Sequence, residues 1–385
     1  MSDSKNRAWR EVDLSALAHN AHILQTALAP GCRLMAVVKA DAYGHGAIPT
    51  ARRLEREGIR AFAVACLDEG IALRQAGIRG EILILGYTSP WEAEELIRWK
   101  LVQTVADELH GQALAARGLP VPVHLALDTG MHRLGIPAED RAALVRLYGL
   151  AGLNIRGVFS HLCVSDSLQT QDLSFTQEQL KRFYGALQWL RAQGYAPGET
   201  HIQASYGIWN LPPQPCTWAR AGIALYGVTS DGRPTRQALD LIPVLSLRAR
   251  VASVRTLAPG EGAGYGLAFR AKDARRLATV TIGYADGLPR DLPHRGGAVL
   301  LAGQRCPMVG RMCMDQLLVD VTHAPHAAPG DVVTLMGRDG GQVISAENLA
   351  RQCGTITNEL LSRLSHRLPV VTAAFAAKPK KENLF

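Results

Sequence analysis

Near the start of the chain, Leu14, Leu17, Ala21, Leu24 and Leu28 recur at helical spacing, behind the polar opening Asp13 and Ser15. After the Pro30-Gly31 break the pattern changes to short apolar runs separated by amphipathic stretches. The runs at 34–40, 61–67, 81–87, 101–107, 121–128, 155–163, 199–205 and 217–225 predict strands. Between them lie helical patterns such as 176–193, which places Leu180, Phe183, Leu187 and Leu190 on one face. Continuous apolar strands alternating with helices form parallel sheets covered by those helices. Eight such units predict an α/β fold whose first domain, residues 1–240, is a closed (β/α)8 barrel. An open doubly wound sheet is the alternative, and the lack of a G-x-G-x-x-G after the first strand counts against its dinucleotide-binding form.

From about Leu241 the texture differs. Segments 244–256, 277–283 and 317–322 alternate apolar and polar residues and are split by Pro-Gly pairs at 259–260 and 329–330. This predicts a second, mainly antiparallel β domain over 241–385, with one helical stretch at 345–352. Residues 1–10 are candidates to join it.

Composition narrows the function classes without choosing one. A chain of 385 residues with 47% apolar and 20% charged residues is expected to form two globular domains. No apolar run has the length of a membrane span, and MSDSKNRAWREVD does not read as a secretory signal, so a cytoplasmic location and no membrane partner are expected. The seven cysteines are scattered singly, which predicts neither a disulfide framework nor a metal site. The net charge of +8 is spread thinly; the one dense basic run, Lys378, Lys380 and Lys381, reads as a solvated tail, and no nucleic-acid module is present.

Enzymes with β/α barrels place their chemistry at the carboxyl ends of the strands. Lys39, near the end of the first strand in AVVKADAYGHG, is flanked by apolar residues that strip its hydration and lower its pKa, which makes an amine nucleophilic toward an aldehyde. A lysine snorkelling from a strand end is an equal reading of that feature by itself. Arg133 follows the fifth strand, His161 and Ser205 end the sixth and seventh, and Arg220 and Gly222 lie in the eighth. Alone, His161 would read as a core histidine and Arg133 as a loop residue; their common location favours a site. Ser205 with the amides near Gly222 suits a phosphate.

These residues sit in motifs that resemble the alanine racemase family of fold-type-III pyridoxal-phosphate enzymes. VVKADAYGHG, DTGMHRLG, FSHL, WARAGIALYG, GAGYGLAF, IGYADG and VGRMCMDQ follow in the family's order over residues 10–370. The resemblance implies pyridoxal 5'-phosphate as cofactor, a homodimer with shared active sites, and interconversion of L- and D-alanine for cell-wall peptidoglycan. Lys39 resembles the lysine that carries the cofactor and acts as one base; Tyr265 resembles the opposing base contributed by the partner subunit. Tyr43, Ser205, Gly222 and Ile223 match phosphate-binding positions, Arg220 the partner of the pyridine nitrogen, and His161 the residue against the cofactor ring. Arg133 and the backbone of Met314 match contacts to the substrate carboxylate, and Tyr284, Arg290 and Arg311 the residues at the substrate entrance.

Two positions depart from the family's pattern. Where many members carry a lysine, often carbamylated, that steadies the carboxylate-binding arginine, this chain has Ala126, so Arg133 must be held by an anion or a neighbouring side chain. A tyrosine usual near the C-terminus corresponds to His366 in LSRLSHRLP. Serine, or mixed serine and alanine, is therefore the nearest alternative substrate. A pyridoxal-phosphate carrier barrel without turnover is the alternative of another class; Tyr265 and the second domain count against it. A related decarboxylase fits less well, because its usual cysteine motif does not surround Cys313.

Overall fold

The structure, a computed structural model, describes residues 6–373. The basic run at Lys378, Lys380 and Lys381 lies outside them. The described residues divide into two compact units, one containing 18–229 and 233–241, the other 6–17, 230–232 and 242–373.

Strand β1 (Ala8–Asp13) belongs to the second unit and leads into helix α1 (Leu14–Thr26), opened by Asp13, whose carboxylate accepts from the amides of Ser15 and Ala16. The first unit is built on eight parallel strands: β2 (Arg33–Val37), β3 (Ala61–Val64), β4 (Glu81–Ile84), β5 (Val102–Val105), β6 (Val121–Asp128), β7 (Leu153–Phe159), β8 (Glu199–Ala204) and β9 (Trp218–Ala221). Each pairs with the next, and β9 pairs with β2, so the sheet closes on itself. Helices lie between the strands, the longest being Thr170–Ala192, which buries Leu180, Phe183, Leu187 and Leu190. The barrel carries Met35, Val37, Leu83, Val102 and Trp218 in one buried cluster with the small Ala61 and Ala63. Each of the large aliphatic side chains there stabilises the fold by about 1.5–3 kcal/mol.

All eight predicted strands are present, but most stop short of the predicted apolar run. β2 ends at Val37, so Lys39 lies beyond it; His161 lies beyond β7, Ser205 opens a short helix, and Ile223 opens a 3-10 turn. At Val38, Leu162, Ser205 and 222–226 the residues beyond the ladder are buried as well, and hydrophobicity alone does not register the change of backbone.

The second unit is a sheet of β1 with β10 (Leu245–Leu257), β11 (Arg275–Val280), β12 (Ala298–Leu301), β13 (Gln304–Val309), β14 (Leu317–Asp320), β15 (Val332–Asp339), β16 (Gln342–Ile344) and β17 (Val370–Ala373). Its ladders are antiparallel except that of β1 with β17. β1 is therefore inserted between β10 and β17, strands more than a hundred residues apart in the chain. The pairing of β15 with β10 closes six strands into a ring. The helix Ala346–Gln352 matches the predicted stretch; a second short helix, Thr357–Ser362, was not expected from the pattern.

Candidate active site

The barrel's carboxyl ends carry the first group of candidate residues. Lys39 follows β2 and is half-buried. The four residues after it, Ala40, Asp41, Ala42 and Tyr43, all adopt left-handed helical backbone, with φ between 52° and 55°. None is glycine, and each such residue costs about 1–2 kcal/mol, so the surroundings must hold the turn. Glu69 does part of this: its two carboxylate oxygens accept from the amides of Ala40 and Ala65, both at 2.7 Å. Asp41 Oδ1 accepts from the Ala47 amide at 2.8 Å. Tyr226 donates to the Val37 carbonyl and lies against Tyr43 and His45.

This turn aims Tyr43 at the end of β9. A Cβ added to Gly222 would lie 2.7 Å from Tyr43 Oη, so glycine there is what lets the hydroxyl approach the backbone. Burial pushes the Tyr43 phenol up to about 12, which keeps it a neutral donor. Ser205 Oγ accepts from the amides of Gly222 and Ala224 at 3.0 and 3.2 Å. Those two amides are thus committed to Ser205, leaving its hydroxyl hydrogen, Tyr43 Oη and the intervening Ile223 amide as donors. That set can donate to a phosphate.

Arg220 is buried inside the barrel. Its guanidinium donates to His201 Nδ1 at 2.6 Å, to His161 Nδ1 at 3.0 Å and to the Ser160 carbonyl at 2.8 Å. Burial pushes Arg220 down to about 10, still fully charged at neutral pH. Burial, then Arg220, Arg133 and Lys39, push His161 down to about 3, so its ring is neutral. The Lys39 amine is lowered first by burial and then by Arg133 and Arg220, against a raising influence from Glu69. Arg133 is exposed and has no hydrogen-bond or ion-pair partner among the described residues; Ala126 is buried and offers it nothing polar. Lys39, Arg133 and Arg220 thus make a cationic mouth, and such a mouth suits a ligand with several negative charges.

The sheet unit carries the remaining candidates. Tyr265 stands on a tight turn between two-residue strands Gly262–Ala263 and Phe269–Arg270 and is 68% exposed. Gly264 and Gly266, at φ 73° and 66°, permit that turn. The Arg311 guanidinium reaches to 3.3 Å from the Cβ position of Gly266, which brings Arg311 to the Tyr265 turn. Tyr284 is close to Met314 through backbone: the Tyr284 and Ala285 amides donate to the carbonyls of Cys313 and Met314 at 3.2 and 3.0 Å. Met314 is 53% exposed. Arg290 is exposed on the following loop. His366 is exposed in the turn before β17.

Three residues that shape these groups were not singled out from the sequence. Glu69 clamps the Lys39 turn, and His201 seats Arg220. Asp286, fully buried, binds Arg7 at 2.6 and 3.0 Å and accepts from the Gly283 amide, so it anchors the Tyr284 turn. Asp286 lies inside IGYADG, a signal that was available; nothing local marks Glu69 or His201.

Comparison with known proteins gives two family-model matches, "Alanine racemase, N-terminal domain" over residues 12–230 and "Alanine racemase, C-terminal domain" over 244–372. An alanine racemase of Desulfovibrio desulfuricans is 42% identical over 94% of this chain and 97% of its own length. An amino-acid racemase of Enterococcus faecalis is 42% identical over 96% of this chain, and a serine/alanine racemase of Enterococcus gallinarum 41% identical over 94%. The chain spans about half the length of these two Enterococcus relatives, 52% and 51%. The solved alanine racemase of Clostridium difficile 630 superposes with a TM-score of 0.90 at 32% identity, covering 97% of each chain.

Proposed function

We propose, from the premise that the chain belongs to the alanine racemase family, that it interconverts L- and D-alanine with bound pyridoxal 5'-phosphate. The product D-alanine would serve cell-wall peptidoglycan. The observation that carries this reading is the cationic barrel mouth: a lysine amine with lowered pKa beside the uncommitted hydroxyls of Tyr43 and Ser205. Lys39 would hold the cofactor's aldehyde; Tyr43, Ser205 and Ile223 would donate to its phosphate, with Gly222 leaving room for the Tyr43 hydroxyl beside it; Arg220 would hold its ring nitrogen, and His161 would lie against its ring. When bound, the cofactor supplies a conjugated system that accepts the electron pair left on the substrate α-carbon when its proton departs.

The chain's own residues then divide the work. Arg133 binds the substrate carboxylate, fixing which bond at the α-carbon faces the bases; the backbone of Met314 from a second copy adds a contact there. Lys39 Nζ takes or returns a proton on one face of that carbon, its pKa lowered by burial and by Arg133 and Arg220. Tyr265 of a second copy of the chain does the same on the other face. Its exposure on a glycine-framed turn is what a residue meeting another subunit's site requires. Tyr284, Arg290 and Arg311 would border the substrate's way in. Arg220 always donates and never gives up its proton at working pH, so it holds the nitrogen it faces as an acceptor.

Chiral chromatography after incubation with L-alanine, L-serine and larger amino acids tests the reading. Racemisation of alanine is the expected result. Absence of any enantiomer exchange with the cofactor bound would favour a carrier protein instead. Serine is the second substrate to weigh, because the exposed His366 replaces the family's tyrosine and a serine/alanine racemase is among the relatives. Serine turnover slower than alanine turnover is expected; the reverse would exchange the two assignments.

A further inference from the structure

Below Arg220 a line of polar side chains runs through the barrel interior, and the reaction steps above do not use it. Arg220 Nη1 lies 2.6 Å from His201 Nδ1, and His201 Nε2 lies 2.8 Å from His124 Nδ1. His124 Nε2 in turn faces Glu199 Oε2 at 3.7 Å and Glu81 Oε1 at 3.9 Å. Glu81 opens β4 and Glu199 opens β8, so the line ends at the strand amino ends, opposite the candidate site. Both histidines are fully buried. His124 Nε2, Glu81 Oε1 and Glu199 Oε2 are all buried without a hydrogen-bond partner, which is costly unless something joins them. The space is made deliberately small: a Cβ at Gly157 would come 2.7 Å from His124 Nε2.

The hydrogens on this line can be assigned by counting. A guanidinium donates and never accepts, so His201 Nδ1 must be a lone pair. Burial keeps the His201 ring neutral, which places its hydrogen on Nε2, where it is donated to His124 Nδ1. Burial, then Arg156 and Arg220, push His124 down to about 3, so that ring is neutral too and carries its hydrogen on Nε2. Glu81, His124 and Glu199 are ligand types that could surround a cation. The line, however, presents them an N–H, and a protonated ring nitrogen cannot bind a metal. The gaps of 3.7 and 3.9 Å exceed the 2.7–3.2 Å of a direct hydrogen bond; one water accepting from His124 and donating to the two carboxylates would close them.

We propose that Glu81 and Glu199 are positioning residues for Arg220: through one bridging water they terminate a one-directional hydrogen-bond line that locks His124 and His201 as Nε2–H tautomers and keeps His201 Nδ1 an acceptor for the guanidinium. Only the catalytic consequence rests on the reading of Arg220 given above; the tautomers do not. Charge at the far end supports the direction. Arg156 lies 2.5 Å from Glu81 Oε2, and Arg74 also faces that carboxylate, which offsets part of the pair's charge and leaves the rest toward His124. Burial and Glu199 push Glu81 up to about 7, against Arg156 and Arg74, so the line's end changes charge near neutrality.

The test is neutron diffraction on the full chain carrying pyridoxal 5'-phosphate, with two variants measured beside it. Deuterium on Nε2 of both His124 and His201, none on His201 Nδ1, and a water between His124 and the carboxylates are expected. Deuterium on His201 Nδ1, or a cation in the water's place, overturns the proposal. The double variant Glu81→Gln with Glu199→Gln keeps the shape and removes the charge; His124→Leu cuts the line. Each should lower kcat per bound cofactor about tenfold, the usual scale for a residue acting through a site residue, with KM for alanine nearly unchanged. In the double variant, the bound cofactor's absorbance should also lose an inflection near pH 7. Should His124→Leu fail to fold, the double variant decides; wild-type rate, absorbance and pH response in it would refute the role. If the wild-type chain binds no cofactor, the function proposed above fails, while the neutron map still decides the tautomers.

Discussion

In the barrel unit, Arg220 is sealed from solvent with a partner for each nitrogen that faces the interior, and the Lys39 turn is clamped by Glu69. In the sheet unit, Tyr265 and Met314 stand more than half exposed: Gly264 and Gly266 permit the turn under Tyr265, and Met314 is hydrogen-bonded to the Tyr284 turn that Asp286 anchors. The first unit buries Arg220 and clamps the Lys39 turn; the second leaves its candidate side chains exposed.

The sharpest way to break this contrast is to remove Lys39. The Lys39→Ala variant should lose at least about a thousandfold in rate, the span of a lost acid/base and nucleophilic group. Borohydride reduction and peptide mapping of the wild type should place the pyridoxyl group on Lys39; a label on another lysine would defeat the assignment. Mixing then tests the sheet unit. Lys39→Ala and Tyr265→Phe, refolded together in equal amounts, should regain about a quarter of wild-type sites if each site takes one residue from each chain, since half the dimers are mixed. No recovery, with mixed dimers demonstrated, would mean that both bases come from one chain.

Smaller effects sharpen the barrel side. Gly222→Ala places a methyl group 2.7 Å from Tyr43 Oη and should weaken cofactor binding about tenfold, while thermal unfolding of the cofactor-free chain shifts by no more than a few degrees. Stability should also fall in acid. His124 and His161, pushed down to about 3, and His201 are held neutral when folded, so the unfolded chain binds more protons below about pH 6.5 and stability drops as pH falls from there. Glu81, raised to about 7, contributes oppositely: its stabilisation is present below its unfolded pKa and lost as pH rises through 7. Three histidines outweigh one carboxyl, so hydrogen exchange at pH 5 should show barrel amides losing protection before those of the sheet unit. Equal loss in both would contradict it.

The strands were legible because each barrel strand is a short apolar run bounded by turn residues, and the sheet unit alternates. What escaped was backbone and interior polarity. Ala40 to Tyr43 carry no glycine, so nothing in ADAY announces a left-handed turn; it exists because Glu69 holds it from outside and Asp41 ties it to the Ala47 amide. His124 in VPVHLALD and His201 in ETHIQAS read as ordinary strand positions, and only closure of the barrel brings them together. The pairing of Arg7 with Asp286 joins residues 279 apart and leaves no local trace. The candidate site residues themselves were found through motif order, whereas their supports were found only in three dimensions.

The place of β1 has a consequence during synthesis. It leaves the ribosome before every other described strand, yet its neighbours β10 and β17 follow more than 200 residues later. At about 5–20 residues per second, Trp9 and Val12 wait for tens of seconds, of the order of the time in which the whole barrel is made. Throughout that interval a strand with both edges open is a template for stray association. Arg10 and Glu11, set side by side between its apolar residues, act as gatekeepers against this before they become part of the sheet. A nascent chain halted between Ala221 and Leu245 would therefore carry all eight barrel strands and a β1 without its sheet neighbours, and chaperone capture should concentrate on that strand.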